Sequence, residues 1–357
     1  MAFRPEPTSP SSSTTGASTA VLWCNLGTPD APTAQAVRPY LAQFLSDPRV
    51  VELPPALWRP ILHGIVLRTR PARSAAKYAS IWLPEGSPLK VWTARQAGLL
   101  GEALLAQGGQ PVPVREAMRY GQPAIGAQLD ALKADGVQRV LVLPAYPQYS
   151  GTTTASVVDA VNHWCRDVRR LPELRFVADY HDDPGYIDAL AASVRRHWQA
   201  NGRADVLLMS FHGVPERTVN QGDPYADQCL ATARLLAARL QLTPTQWRVS
   251  FQSRFGKARW LEPATEATLR ELGAAHGGGQ SLDVMCPGFT SDCLETLEEI
   301  AIEGQHTFKT AGGGAFRYIP CLNADAGWIA ALARIAQRHL AGWPLGPADP
   351  AQPSGPM

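Results

Sequence analysis

Short apolar runs alternate with longer amphipathic stretches along most of the chain. The runs are rich in β-branched residues and predict eight strands, at residues 20–25, 113–118, 139–144, 174–178, 206–210, 248–251, 282–285 and 316–319. The stretches between them carry apolar residues at the helical period and predict helices, among them 87–107, 184–200, 224–240 and 323–340. This alternation favours parallel sheets that are covered by helices on both faces.

The eight predicted strands divide into four plus four, with the break near residues 171–175. We therefore predict the α/β class, with two doubly wound, Rossmann-like domains at residues 19–172 and 173–322. Each domain would hold a four-stranded parallel sheet flanked by helices, and the active-site cleft would lie between the domains. The repeated rhythm is consistent with a duplication, although no sequence repeat is visible.

The two ends of the chain differ in composition from its middle. Residues 1–18 and 343–357 are poor in large apolar side chains, so we expect disordered tails there. Residues 323–342 predict a helix that packs back on the two domains. The N-terminal segment has no apolar stretch of the signal-peptide type, and no run approaches the ~18 apolar residues that span a bilayer. We therefore expect a cytoplasmic protein.

Charge and cysteine content exclude several classes of protein. The 33 basic and 31 acidic residues leave a net charge of +2, which gives no basis for a nucleic-acid partner. Six cysteines without a Cys-x-x-Cys pair do not form a disulfide scaffold. We expect all six to be reduced and mostly buried.

Two common kinds of site lack their sequence signals. No G-x-G-x-x-G follows the first predicted strand and no Walker-type loop occurs, so a dinucleotide or nucleotide site is unsupported. The segment 276–279, His-Gly-Gly-Gly, is similar to an oxyanion loop, but no G-x-S-x-G elbow accompanies it. A hydrolase is therefore not favoured.

Gly/Pro turns with polar residues follow four of the predicted strands. Ligands of doubly wound sheets bind beyond the carboxyl ends of the strands, so such turns are candidates for a site. These turns would line one rim, and they lie at residues 25–29, 145–152, 211–215 and 286–292.

The segment after the seventh strand carries a row of carboxylates. Glu295, Glu299 and Glu303 are spaced i, i+4 and i+8, and like charges at this spacing destabilise a helix by about 0.2–0.5 kcal/mol per pair. No Lys or Arg within the segment offsets them. Such a row suits the handling of cations or protons. Alternatively, Asp292 and Glu295 form a capping pair and the later glutamates face water; the segment alone leaves both interpretations open.

Polar residues follow two further strands. His212 lies just beyond the fifth strand, where a neutral imidazole can accept a proton or bind a divalent metal, although a lone histidine there can equally be structural. Arg119 and Tyr120 follow the second strand and would place a guanidinium at the same rim, suited to carboxylates. Taken alone, this pair is weak evidence for a site.

Residues 53–67 form an apolar helical stretch with a basic margin. This stretch is either an ordinary core helix or an apolar lip suited to a flat, apolar ligand or to a membrane surface. The basic residues that directly follow it are Arg68, Arg70, Arg73 and Lys77.

Several of these segments together are typical of one family. The most specific are 210–215, Ser-Phe-His-Gly-Val-Pro, and 287–299, Pro-Gly-Phe-Thr-Ser-Asp-Cys-Leu-Glu-Thr-Leu-Glu-Glu. Supporting segments, in the expected order, are 25–29, 86–89, 119–120, 147–150 and 251–254, with Trp260 beyond. Over residues 20–340 the chain resembles the ferrochelatase family.

The resemblance implies an enzyme that inserts Fe²⁺ into protoporphyrin IX, with His212 and Glu295 as catalytic residues and metal ligands that face each other across the porphyrin pocket. It implies that Glu299 and Glu303 relay protons or metal, on a helix with a widened turn. The residues that it implies for porphyrin binding are Leu26, Ser87, Arg119, Tyr120, Tyr149, Trp260 and Phe289. Iron is then a substrate, and no cofactor is permanently bound.

The chain departs from the family pattern at two points. Some relatives have histidine where this chain has Cys293. The C-terminus lacks the cysteine cluster that holds an iron–sulfur centre in animal relatives, so no such cluster is expected.

Some alternatives stay open within and beyond this resemblance. A coproporphyrin III ferrochelatase commonly has a tyrosine shortly after the Gly-Thr-Pro turn, where this chain has Asp30, Ala31 and Pro32, which favours protoporphyrin. A chelatase for another tetrapyrrole usually has a second site histidine, which is missing here. A porphyrin- or haem-binding carrier would not need His212 or the carboxylate row.

Residues 53–77 predict peripheral contact with the inner face of a membrane. The sequence does not indicate the oligomeric state.

Overall fold

Among the residues that the structure describes, eight strands form two separate four-stranded parallel sheets. A computed structural model describes residues 18–108, 110–256, 258–275 and 279–345. The strands are β1 (Thr19–Thr28), β2 (Val114–Gly121), β3 (Arg139–Pro144), β4 (Glu173–Phe176), β5 (Val206–His212), β6 (Trp247–Gln252), β7 (Leu282–Met285) and β8 (Phe316–Tyr318). The sheet orders are β2-β1-β3-β4 and β6-β5-β7-β8, and every neighbouring pair is parallel. The predicted α/β architecture is confirmed.

Helices connect the strands and flank both sheets. They are α1 (Ala34–Ser46), α2 (Pro55–Ile61), α3 (Leu67–Ile81), α4 (Pro88–Gly108), α5 (Ile125–Ala134), α6 (Ser156–Cys165), α7 (Pro184–Asn201), α8 (Glu216–Asn220), α9 (Tyr225–Arg239), α10 (Thr265–Ala274), α11 (Leu294–Thr296), α12 (Gln305–Thr310) and α13 (Ala326–Leu340). In the described part of the chain, wider π-helical segments lie at Leu62–Val66, Gly151–Ala155 and Leu297–Gly304. None of the helices in the described part of the chain is long and apolar enough to cross a membrane.

The two sheets share one strand order, which agrees with the duplicated rhythm of the sequence. In each, the second strand pairs on one side of the first and the third strand on the other. The order in which strands are added therefore switches from one side to the other between β1 and β3, and again between β5 and β7. Crevices at such switch points are where doubly wound sheets bind ligands.

The apolar core is continuous between the two halves. One cluster of buried residues includes Trp23 and Leu141 of the first sheet and Met209 and Phe211 of the second. Helix α13 contributes the fully buried Trp328 to this cluster and packs against both α4 and α7. It therefore bridges the two halves.

The inner ends of both predicted tails pack on the fold. The hydroxyl groups of Ser18 and Thr19 donate to the carbonyl of Pro344, at 2.8 and 2.7 Å. The indole of buried Trp343 donates to Glu173 at 2.7 Å. The remainder of the predicted tails, 1–17 and 346–357, and most of the His-Gly-Gly-Gly segment, 276–278, lie outside the described residues.

Gln96, fully buried on α4, joins the first sheet to the segment after β7. Its Oε1 accepts from the Trp23 indole at 3.2 Å and from the Ser291 hydroxyl at 3.0 Å. Its Nε2 donates to the carbonyls of Thr290, at 2.8 Å, and Asn323, at 3.0 Å. An amide with both donors and its acceptor used is costly to displace in a buried setting. Gln96 therefore fixes the segment that leads to Glu295.

Candidate functional site

A cavity of about 290 Å³ lies where the carboxyl ends of the two sheets face each other. Both switch points contribute to its wall. The first sheet supplies Leu26 of β1 and, after β3, Tyr146 and Gln148. The second sheet supplies His212 of β5 and, after β7, Phe289. Other lining residues come from the segments after β6 and β7 and from α1 and α3, and include Phe44, Arg70, Lys77, Ser253, Phe255, Trp260, Leu294, Glu295, Glu298 and Glu299. The wall is thus largely apolar with a cluster of ionisable groups.

The cavity unites part of the predicted site. The predicted residues that line it are Leu26, His212, Trp260, Phe289, Glu295 and Glu299. The predicted residues that do not line it are Ser87, Arg119, Tyr120, Tyr149 and Glu303. The two residues expected to be catalytic are therefore in the first group.

His212 is the last residue of β5, and its ring has a defined orientation. Its Nδ1 lies 2.6 Å from the carbonyl oxygen of Gly213. A carbonyl only accepts hydrogen bonds, so this contact requires the hydrogen on Nδ1 and leaves the lone pair on Nε2. The ring centroid of Phe289 lies 6.5 Å away. His212 can therefore act as a base or metal ligand through Nε2.

Glu295 lies on the three-residue helix α11, directly before the π-helical segment Leu297–Gly304. Its backbone carbonyl accepts a 2.7 Å hydrogen bond from the side chain of Gln252. The π-helical segment is the widened turn implied by the family resemblance, and π-helical turns occur frequently at functional sites.

The carboxylates do not form the single row predicted from α-helical spacing. In a π-helix, residues i and i+5 are joined by a backbone hydrogen bond and therefore lie one turn apart on the same face. Glu298 and Glu303 have this spacing, and both bind Lys77 of α3, each at 2.9 Å. Glu299 instead accepts from the backbone N–H and the hydroxyl of Ser253, at 2.6 and 2.5 Å. The prediction of an uncompensated row was therefore wrong for Glu303, because its cation comes from a distant segment.

Burial shapes the acidity of the inner carboxylates. It raises the pKa of Glu299 above its ordinary value, against the lowering effects of the Ser253 hydrogen bonds and of His212, and the charge of Glu295 raises it further. Burial also raises the pKa of Glu298, although Lys77 opposes this. Glu299 therefore keeps a proton to higher pH than a free glutamate, as a proton-transfer group requires.

Arg119 and Tyr120 belong to a buried network beside the cavity. The guanidinium of Arg119 and the hydroxyl groups of Tyr120 and Ser156 donate to one oxygen of Asp47, at 2.6, 2.7 and 2.5 Å. These contacts lower the pKa of Asp47 although burial opposes them. The Tyr120 ring lies 5.2 Å from that of Phe44, which lines the cavity. The pair therefore supports the wall from behind.

The remaining predicted contacts are also supporting. The hydroxyl of buried Ser87 accepts a hydrogen bond from Thr28 at 2.8 Å. Tyr149 is held through its backbone N–H, which donates to Gln228 at 2.6 Å. Glu303 is half exposed and paired with Lys77 outside the cavity wall.

Sequence reasoning missed several residues of the wall. Arg70 and Lys77 were assigned only to the basic margin of the lip, and Glu298 was passed over because it falls outside the i+4 pattern. Phe255 lines the cavity, with its ring 4.8 Å from that of Trp260. The signal for it was its place directly after the 251–254 segment. Another group of potential metal ligands, Asp179, His181 and Asp182, lies outside this cavity.

A histidine that presents Nε2 and a group of carboxylates lie together on a largely apolar wall at two sheet switch points, an arrangement that indicates an α/β metal chelatase. A family model described as Ferrochelatase matches residues 18–340. The ferrochelatases of Methylibium petroleiphilum and Polaromonas sp. are 65% and 62% identical, over 93% and 96% of this chain and 91% and 94% of their own lengths. The chain belongs to the ferrochelatase family, the lyases of haem biosynthesis that insert iron into a porphyrin.

Solved structures agree with the fold. SirB from Bacillus subtilis with Fe³⁺ matches with a TM-score of 0.51 at 12% identity, over 90% of this chain and 96% of that one. The sirohydrochlorin chelatase SirB from Bacillus subtilis subspecies spizizenii in complex with cobalt gives 0.50 at 10% identity, over 90% and 95%. At these identities the likeness concerns the two-domain α/β fold alone.

Proposed function

We propose that this enzyme inserts Fe²⁺ into protoporphyrin IX, with release of two protons, to give protohaem at the terminal step of haem synthesis. The observation that carries the proposal is the placement of the His212 imidazole and of Glu295 and Glu299 on one largely apolar cavity. The apolar and aromatic residues bind the ring and exclude water, and the ionisable groups face its nitrogens.

Metal insertion exchanges two pyrrole N–H protons for one Fe²⁺. A planar ring hides its nitrogen lone pairs, so a cavity that binds a bent ring lowers the barrier, at a strain of about 1–5 kcal/mol drawn from binding energy. His212 Nε2 accepts the pyrrole protons, and Glu295 acts as a second base or as a transient ligand of iron. One histidine and one or two carboxylates bind Fe²⁺ weakly enough for it to leave for the ring. Iron passes through as substrate, and no step needs a resident cofactor.

Glu299 provides the next position for a proton. It lines the cavity, and its raised pKa makes its carboxylate a better proton acceptor than that of a free glutamate. Glu303, on the same π-helical segment but half exposed, forms the outer end of the path, where Lys77 also contacts Glu298. Protons then leave, or cations enter, along one acidic segment.

The charges of the wall favour a porphyrin with few carboxylates. Among the described lining residues the side-chain cations are Arg70 and Lys77, and Lys77 is already paired with two glutamates. Protoporphyrin IX carries two propionates and coproporphyrin III carries four. Arg70, which is exposed at the cavity, can pair with a propionate, whereas the two further propionates of coproporphyrin III would add negative charge to a cavity that already holds Glu295, Glu298 and Glu299.

We expect kcat/KM for protoporphyrin IX to exceed that for coproporphyrin III by about tenfold. This ratio corresponds to about 1.4 kcal/mol, the cost of one unfavourable charge contact. The measurement is anaerobic incubation with Fe²⁺ and each porphyrin in detergent, following the replacement of free-base by metalloporphyrin absorption bands. Faster conversion of coproporphyrin III would assign that substrate instead. Binding of both porphyrins without conversion would identify a carrier.

The exposed apolar residues of the lip support peripheral membrane contact. Leu53, Leu57, Ile61 and Ile65 recur every fourth residue on and beside α2 and are 50%, 65%, 44% and 60% exposed. Exposed arginines follow them on α3, beside the cavity residues Arg70 and Lys77. An apolar patch with a basic margin suits the surface of an anionic bilayer. We propose that the cytoplasmic enzyme docks there to receive its apolar substrate.

Flotation with vesicles that contain anionic lipid is expected to carry the protein with the vesicles. The triple variant Leu57→Ser, Ile61→Ser, Ile65→Ser is expected to stay behind, because about 2 kcal/mol of transfer energy per side chain is lost. Turnover in detergent should stay near wild type. Equal flotation of both proteins, or of neither, would contradict the proposed contact.

A further inference from the structure

Gln252, the last residue of β6, contacts both halves of the catalytic pair. Its side-chain Nε2 donates to the backbone carbonyl of Glu295 at 2.7 Å. Its own backbone carbonyl accepts from the N–H of Gly213, directly after His212, at 2.8 Å. In the β5–β6 pairing, His212 and Gln252 are register partners. One residue therefore links the strand of the histidine to the helix of the glutamate.

The side chain of Gln252 is held in a single orientation. It is 2% exposed, and its Oε1 accepts from the Ser210 hydroxyl at 2.7 Å and from the Cys286 thiol at 3.6 Å. Because the oxygen is oriented by Ser210 of β5 and by Cys286 directly after β7, the NH₂ group must face Glu295. The close approach at Gly213 adds rigidity, because a Cβ there would lie 2.8 Å from the Gln252 carbonyl oxygen.

Helix α11 depends on such contacts. Three residues form less than one α-helical turn, which has almost no stability of its own, and the segment that follows it is π-helical. The neighbouring Ser253 binds the Glu299 carboxylate. The Gln252 bond is therefore the direct tie from β6 to the backbone of Glu295.

We propose that Gln252 is a positioning residue that sets the distance between His212 Nε2 and the Glu295 carboxylate. The inference rests on the roles proposed above for these two residues. Gln252 does not line the cavity, so it acts through Glu295 and not on the porphyrin. A displacement of about 1 Å at a reacting group can cost ~100-fold in rate.

Gln252→Met has similar length and no amide. We expect its kcat to fall by about 10- to 100-fold and the KM for Fe²⁺ to rise, with the KM for porphyrin within about threefold of wild type. The matched control is Thr268→Ala: Thr268 is buried on α10 beside the same sheet, and its hydroxyl donates to the Ala264 carbonyl one turn earlier at 3.1 Å. The control should keep wild-type kcat. A wild-type kcat for Gln252→Met, or equal losses in both variants, would overturn the proposal.

Gln252→Glu supplies a signature that general loss of structure would not produce. The introduced carboxylate repels the Glu295 carbonyl, whereas its protonated form can donate to it as the amide does. The ratio of its kcat to that of Gln252→Met should increase as pH is lowered from about 8.5 to 6. Identical pH profiles would overturn the proposal.

His212→Ala, run in the same assay, separates this inference from the proposed function. Undiminished turnover in that variant would refute the site itself. An inactive His212→Ala beside a fully active Gln252→Met would leave the site intact and refute only the positioning role.

Discussion

His212→Ala is expected to lower the rate of iron insertion by about 10³-fold while porphyrin binding changes by less than about threefold. The Nδ1–H contact with Gly213 leaves Nε2 as the basic atom at the cavity, and a positioned general base is worth ~10²–10⁴-fold. Binding depends on the apolar and aromatic wall, which the substitution leaves in place. Stopped-flow absorbance under anaerobic conditions measures the insertion, and porphyrin fluorescence measures the binding.

Two comparisons sharpen the His212 experiment. Added imidazole is expected to restore part of the rate, because the substitution leaves a space of the size of an imidazole ring beside the pyrrole nitrogens of the porphyrin. His163→Ala removes an exposed histidine that does not line this cavity, and it should insert iron at the wild-type rate. If His212→Ala keeps a near-normal rate, the pyrrole protons are accepted by another group.

The alternation of strands and helices was sufficient to predict both sheets. Residues 139–144 and 282–285 were predicted with the bounds that β3 and β7 have, because these apolar runs between turn signals are too short for a helix. The position of His212 followed as well, since the carboxyl end of a central parallel strand lies at the binding crevice.

Contacts between segments that are distant in the sequence could not be predicted from the local pattern of residues. Lys77 pairs with Glu298 across 221 positions of the sequence, and Arg119 with Asp47 across 72. The helical spacing of Glu295, Glu299 and Glu303 assumed an α-helix, whereas the segment winds as a π-helix. Such widening depends on tertiary contacts, and single-sequence periodicity does not report it. The same limit hid the contact of Gln252 with Glu295, although the segment 251–254 was part of the family resemblance.

Glu295→Gln is expected to lower kcat for iron insertion by about 10²–10³-fold and to raise the KM for Fe²⁺. The substitution keeps the size of the side chain and the backbone carbonyl that Gln252 binds, and it removes the charge that attracts iron and the site for a proton. Glu303→Gln alters a half-exposed carboxylate outside the cavity wall and should cost only a few-fold. Initial rates over a matrix of Fe²⁺ and porphyrin concentrations separate the two KM values. If Glu303→Gln proves as damaging as Glu295→Gln, transport along the acidic segment limits turnover, and Glu295 is one relay position rather than the group that meets the metal beside His212.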